Sequence, residues 1–280
     1  MIRVRDVLKT AAVAASMFVL TPVIHALLGR VVSQEESITG DPHVPLLLMF
    51  VSGQAILMVA LFHRIRASIP AVAPWRQGLL FGAFFLLSVQ IPSVFGIVAF
   101  EQGHDWELFT PAKVANYATL FGDTLVFLVV GTLLGWLFGA RRTARPRWPE
   151  GLGPATAMGL VVFPAALWGI VNLAFTVVPL DDPNAPVDRS LWFNLIFFGV
   201  FLLTGACLPV FHALVRRTGT ARGLRGVLLS TGLFGLLWLP VQNFMVVFGW
   251  EVGGALFFSA LSMVPVFAVV WLADRLIPVR

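Results

Sequence analysis

Charge is scarce in this chain. Asp, Glu, Lys and Arg make up 12% of its 280 residues, about half of the roughly 25% usual in a soluble domain, which excludes an ordinary water-soluble globule. Cysteine is nearly absent. The single Cys207 lies inside an apolar run, which excludes an intramolecular disulfide and a dithiol redox centre. Reaction motifs are missing as well: there is no G-x-S-x-G, no P-loop, no H-E-x-x-H and no histidine box. The adjacent acids Glu35 and Glu36 have no histidine after them at helical spacing, as an intramembrane protease would need.

What fills the chain instead is apolar sequence, 58% of all residues, arranged in runs of bilayer length. A span needs about 20 apolar residues. Eight such runs fit, near Ala11–Gly29, Leu46–His63, Gly78–Phe100, Val114–Gly139, Pro154–Val178, Leu191–Val215, Gly226–Trp250 and Gly253–Leu272. The expected class is an all-α polytopic membrane protein with eight transmembrane helices. The first run follows Arg3, Arg5 and Lys9 as a secretory signal would, but it is too long for a typical signal core, so it is read as a retained span.

Basic residues orient the spans, because Lys and Arg resist translocation. With the N-terminus inside, inner segments hold 16 of the 19 Lys and Arg residues, all but Arg30, Lys113 and Arg189. Outer segments carry ten of the fourteen acids, among them Glu35, Asp41, Asp105 and Asp182. Both termini are therefore expected in the cytoplasm, with the chain in the inner membrane. The formal net charge of +5 is the sum of two opposed faces and points to no nucleic acid. The inner arginines are read as topology signals that also touch anionic lipid headgroups. Arginine- and alanine-rich usage fits a bacterium of high genomic GC content.

The sequence also repeats itself. Leu61-Phe62-His63, followed by arginines, Gly78 and Pro92, returns as Val210-Phe211-His212, arginines, Gly226 and Pro240. Residues 1–140 are read as a first four-helix repeat, 141–153 as a cytoplasmic linker and 154–280 as a second repeat. Four spans per copy is an even number, so the two copies enter from the same side and are parallel, an arrangement met in transporters. Prolines at 22, 92, 164, 209, 240 and 265 fall within spans, where each removes a helix donor. Pro92 and Pro240 stand 14 residues after Gly78 and Gly226, which predicts paired bends in the third and seventh helices.

One acid lies deep in a span. Asp123 shares a helix face with Asn116, Thr119, Phe127, Gly131 and Gly135. Facing lipid it would cost several kcal/mol, so it should face inward. The glycines, continued by Gly139, form overlapping G-x-x-x-G spacings that admit a close helix neighbour, read as intramolecular packing rather than a dimer seam. With the topology above, His25, Gln54, Gln90, Asn116, Asp123, Asn172, Asn194, Gln242 and Asn243 fall in the outer halves of their helices. A shared depth suggests an outward-facing polar pocket, against the plainer reading that helices exchange amide hydrogen bonds. The expected ligand-binding set is Asp123 with Gln90, Gln242, Asn172, His25, Gln54 and Asn116. The second copy offers only hydroxyls, around Ser259 to Ser262, in the place of Asp123.

His63 and His212 recur in both repeats and are read as interfacial residues beside the arginines, with a haem or metal pair as the minor alternative. His43, His104, Asp41, Asp105 and Glu107 could hold a divalent cation only without any tight ligand spacing. Trp75, Trp106, Trp148, Trp192 and Trp250 fit an interfacial belt. These features favour a protein that binds or carries a small amphipathic or lipid-like ligand. The alternatives are a structural or accessory subunit of a larger membrane complex and a membrane-embedded enzyme acting on a lipophilic substrate.

Overall fold

A computed structural model describes residues 4–29, 44–93, 111–141, 148–177, 191–218, 223–242 and 252–278. Among these the chain is helical, with eight helices: α1 (Val4–Gly29), α2 (Val44–Ile65), α3 (Pro74–Phe85), α4 (Pro111–Phe138), α5 (Leu152–Val177), α6 (Leu191–Arg216), α7 (Leu224–Gln242) and α8 (Val252–Leu276). Helix α3 runs on into a π turn, Leu86–Gln90. Four helices contain stretches long and apolar enough to cross a bilayer: Leu48–Ile65, Leu152–Ile170, Phe198–Arg216 and Ser259–Leu276. Shorter apolar stretches cover Leu125–Phe138 and Leu224–Trp238.

The distribution of side chains is that of a protein solvated by lipid. Large apolar residues face outward along the helices, with Trp136 at 75% and Val161 at 68% exposure, while one continuous core draws on every helix. Its centre is aromatic. Phe84 of α3 stacks on Phe211 of α6 at 5.4 Å, and Phe234 of α7 stacks on Trp238 at 5.8 Å.

Helix pairing follows one scheme in both halves of the chain. Helix α1 packs on α2 and α4, and α3 packs on α4; likewise α5 packs on α6 and α8, and α7 packs on α8. The halves meet through α2 and the π turn on one side and α6 and α7 on the other.

Close approach of α3 and α4 depends on glycine. A Cβ on Gly131 would lie 2.6 Å from the Gly78 carbonyl oxygen and 2.7 Å from the Gly82 Cα, so only hydrogen fits. The glycine stripe expected to pack within the molecule does so. In the other half the pinch is between α5 and α6, where Gly159 and Gly205 meet backbone to backbone.

The two proline positions differ in local structure. In the third helix the regular α pattern gives way to the π turn two residues before Pro92, whereas α7 continues unbroken through Pro240 to Gln242.

Candidate functional site

The π turn is where proline chemistry, burial and the seam between halves coincide. Pro92 has no N–H, so the carbonyl of Ser88, four residues earlier, loses its helical donor. In a lipid-facing bundle such a carbonyl needs another partner. The Thr204 hydroxyl of α6 donates to it at 2.7 Å, with Thr204 and Ser88 both fully buried. The widened turn closes through the Ile91 N–H, which donates to the Leu86 carbonyl five residues back. π turns inside α-helices are frequent at functional sites.

Gln90, one of the expected ligand residues, is the last residue of this turn and is 7% exposed. Three positions further on, the Ser93 hydroxyl is buried with no hydrogen-bond partner among the described residues, and the same holds for Gln54 Nε2 on α2 and Thr231 Oγ1 on α7. Each orphaned donor costs about 1–3 kcal/mol when dry.

Helix register brings Asp123 to the same level as Gln90. The Phe85 and Phe127 rings meet at 4.9 Å between α3 and α4. One turn beyond Phe127 is position 123, and one widened turn beyond Phe85 is position 90. The side chains of Asp123, Asn116, His25, Asn172 and Gln242 lie outside the described residues, although their helices are described. Counted at 1.5 Å per residue from the arginine-rich helix ends, Gln90 and Asp123 stand about 22 to 24 Å along their helices, and Gln242 and Asn172 about 27 to 30 Å. Gln54 is different. It is the eleventh residue of the 22 in α2, so it stands near mid-helix, at the inner limit of the expected outer half.

At the corresponding level of the second half the polar groups satisfy one another. Trp238 Nε1 donates to Ser262 Oγ at 3.0 Å, and that hydroxyl donates to the Ser259 carbonyl at 2.7 Å. All three residues are buried. The serines were expected there. Trp238, which has no place in the expected site, is a fully buried core residue. It follows Gln90 by the same 148 residues that separate Gly78 from Gly226 and Pro92 from Pro240.

A second polar cluster was not foreseen. His212 of α6 is fully buried, its Nδ1 at 2.8 Å from Ser230 Oγ on α7 and its Nε2 at 3.1 Å from Asp274 Oδ1 on α8. Arg216 Nη1 reaches Asp274 Oδ1 at 3.4 Å and donates to the Ile277 carbonyl at 3.1 Å. Serine, histidine and aspartate in series suggest a nucleophile and its base. With Ser230 and His212 both sealed, the arrangement acts as a clamp joining three helix ends.

This corrects the reading of the two histidines. His212 is not interfacial, and with both ring nitrogens engaged it has none left for a metal or haem. His63 is exposed and rests edge-on against Phe138 at 4.8 Å. The position matching Ser230 is Gly82, used for helix contact, so the first half cannot form the same chain of bonds. Among the described residues no group of three or more His, Cys, Asp or Glu side chains could hold a metal ion. The loop set His43, His104, Asp41, Asp105 and Glu107 lies outside the described residues, as do Trp106 and Trp250. Comparisons of the chain with protein-family models, with curated proteins and with solved structures find no match.

Proposed function

We propose that the chain is an eight-span protein of the bacterial inner membrane, built from two parallel four-helix repeats with both termini cytoplasmic. In this reading it binds or carries a small amphipathic or lipid-like ligand in a polar pocket in the outer half. The repeat is supported by the common pairing order of α1–α4 and α5–α8. The orientation rests on the placement of 16 of 19 cations.

The observation that carries the ligand reading is the interrupted third helix at the seam between halves. There buried Gln90 stands level with Asp123, and the adjacent Ser93 hydroxyl has no partner among the described residues. The second half answers the same level with a closed Trp238–Ser262 bond. At this level the described groups of the second half bond one another, while the Ser93 hydroxyl of the first half has no partner among the described residues, which suits a single ligand bound asymmetrically. Neutral amides and hydroxyls around one carboxyl group favour a ligand with a hydroxylated or amine-bearing head and an apolar body.

Native mass spectrometry of the gently solubilised protein tests this. A stoichiometric small molecule retained by the wild type and lost in Asp123→Asn and in Gln90→Leu, with folding intact, is the expected result. A bare chain that purifies with another polypeptide would replace the ligand reading with that of an accessory subunit.

A further inference from the structure

A groove of about 670 Å³ opens at the arginine-rich end of the first half, remote from Gln90. It lies between the turn joining α2 to α3 and the end of α4, and its walls include Pro74, Trp75, Arg76, Leu79, Leu80 and Arg141. The two guanidiniums are brought together by a buried connector. Gln77, fully buried, donates through Nε2 to the carbonyls of Ala71 at 3.1 Å and Ala140 at 2.8 Å. Its Oε1 accepts from the Ala140 N–H at 3.4 Å. Arg76 precedes Gln77 and Arg141 follows Ala140, so this one side chain locks the two arginines' backbones beside each other.

Neither guanidinium has an ion pair or hydrogen bond among the described residues; Arg76 lies over the Trp75 ring at 5.0 Å. Two unpaired arginines held in one groove attract a doubly bonded anion, and planar forks suit phosphate oxygens. The groove is graded along the helix axis. Arg76 and half-exposed Trp75 sit at the helix start, and Leu79 and Leu80 lie one turn deeper, with Leu80 turned outward at 44% exposure. Charge, then an aromatic ring, then an apolar wall is the order a phospholipid presents from headgroup to acyl chain.

We propose that this groove is a binding site for one anionic glycerophospholipid, its phosphate held by Arg76 and Arg141 and the start of its acyl chain against Leu79 and Leu80. In the second half Arg225 takes the place of Gln77 and cannot accept from a backbone N–H, so the same connector does not form there. The proposal does not depend on the ligand pocket near Gln90, and Asp123→Asn should leave it untouched.

The test is native mass spectrometry of the full chain in micelles holding equal amounts of phosphatidylglycerol and phosphatidylcholine. The wild type should retain one phosphatidylglycerol in preference to phosphatidylcholine. Arg76→Gln and Arg141→Gln should each weaken retention roughly 5-fold, and the double variant on the order of 25-fold. Arg217→Gln/Arg225→Gln, which removes two exposed cations at the same end of the other half, should change nothing. Equal loss in that control, or unchanged retention in the double variant, overturns the proposal. Displacement of the lipid by glycerol 3-phosphate as readily as by free phosphatidylglycerol overturns it too, in favour of a soluble phosphate. Should the double variant fail to fold, each single variant still decides the matter.

Discussion

Gly131→Ala adds one methyl group where two helix backbones touch, and it should destabilise the bundle. The new Cβ would lie 2.6 Å from the Gly78 carbonyl oxygen, 2.7 Å from Gly82 Cα and 2.9 Å from Gly82 N. No flexible side chain is available to give way, so α3 and α4 must separate. Moving from 2.6 Å to an ordinary 3.4 Å contact requires about 0.8 Å, and a gap of about 0.5–1 Å forfeits a quarter to a half of each affected dispersion contact. Dispersion is the chief force between helices in lipid. Overpacking of this kind costs about 1–3 kcal/mol. Against it stands a helix-propensity gain of up to about 1 kcal/mol for alanine over glycine. Gly232→Ala on α7 supplies the reference, since nothing lies within 4 Å of its would-be Cβ. It should keep the propensity gain and pay no steric cost. The two variants should therefore differ by about 1–3 kcal/mol in reversible unfolding in mixed micelles, with Gly131→Ala the less stable. Gly82→Ala combined with Gly131→Ala should cost less than the sum, because helices already separated by one methyl accept the second. Equal stability of Gly131→Ala and Gly232→Ala would refute the close-packed seam.

Thr204→Val keeps the side-chain shape but removes the donor to the Ser88 carbonyl; a loss of about 1 kcal/mol is expected, with faster amide exchange confined to the turn around residues 86–93. Trp238→Phe should cost less than about 1 kcal/mol beyond its packing change, because Ser262 still donates to the Ser259 carbonyl. His212→Leu strands Ser230 and leaves Asp274 with Arg216 alone, so it should cost about 2–3 kcal/mol in the same unfolding assay, whereas His63→Leu should stay within about 0.5 kcal/mol. A result in which the two histidine variants behave alike would refute the clamp.

Hydropathy located the helices well because bilayer-length apolar runs have few competing interpretations. The sixth expected span, Leu191–Val215, differs from α6 by one residue, and the second, Leu46–His63, by two at each end. The errors have physical causes. Helix α1 begins at Val4 rather than Ala11 because Arg5, Asp6 and Lys9 form an amphipathic first turn, and Lys9 is anchored by the Leu137 carbonyl and the Phe138 ring. Helix α3 starts at Pro74 instead of Gly78, since proline is favoured at a first helical position and Gln77 is held by long-range bonds. Periodicity assigns a residue to a face; it does not choose its partner. The Gln77–Ala140 connector and the His212–Asp274 bond join residues 63 and 62 positions apart, so neither was legible from local pattern.

The two halves place their glycines differently. In the first half, α3 and α4 meet backbone to backbone at Gly78, Gly82, Gly131 and Gly135, toward the arginine-rich end. One turn further, Phe85 and Phe127 insert two rings between the same helices. Side chains set interaxial distances near 8–10 Å, and glycine pairs allow less. In the proposed reading, this change from glycine contact to ring contact gives the two helices more room toward the level of Gln90 and Asp123. The π turn adds to this by rotating the last part of the third helix relative to its lower face. In the second half the glycine pinch lies between α5 and α6, while on α7 Gly232 has open space around it and Gly235 faces the Met263 sulfur; the Trp238 indole donates directly to Ser262. Two runs of four helices with the same pairing order thus reach different ends. In the proposed reading the first seam leaves room for a ligand at the level of Gln90, where the second is filled by Trp238. A variant that transferred the seal, such as Gln90→Trp, should therefore abolish ligand retention while leaving the helix pairing and the groove at Arg76 and Arg141 intact.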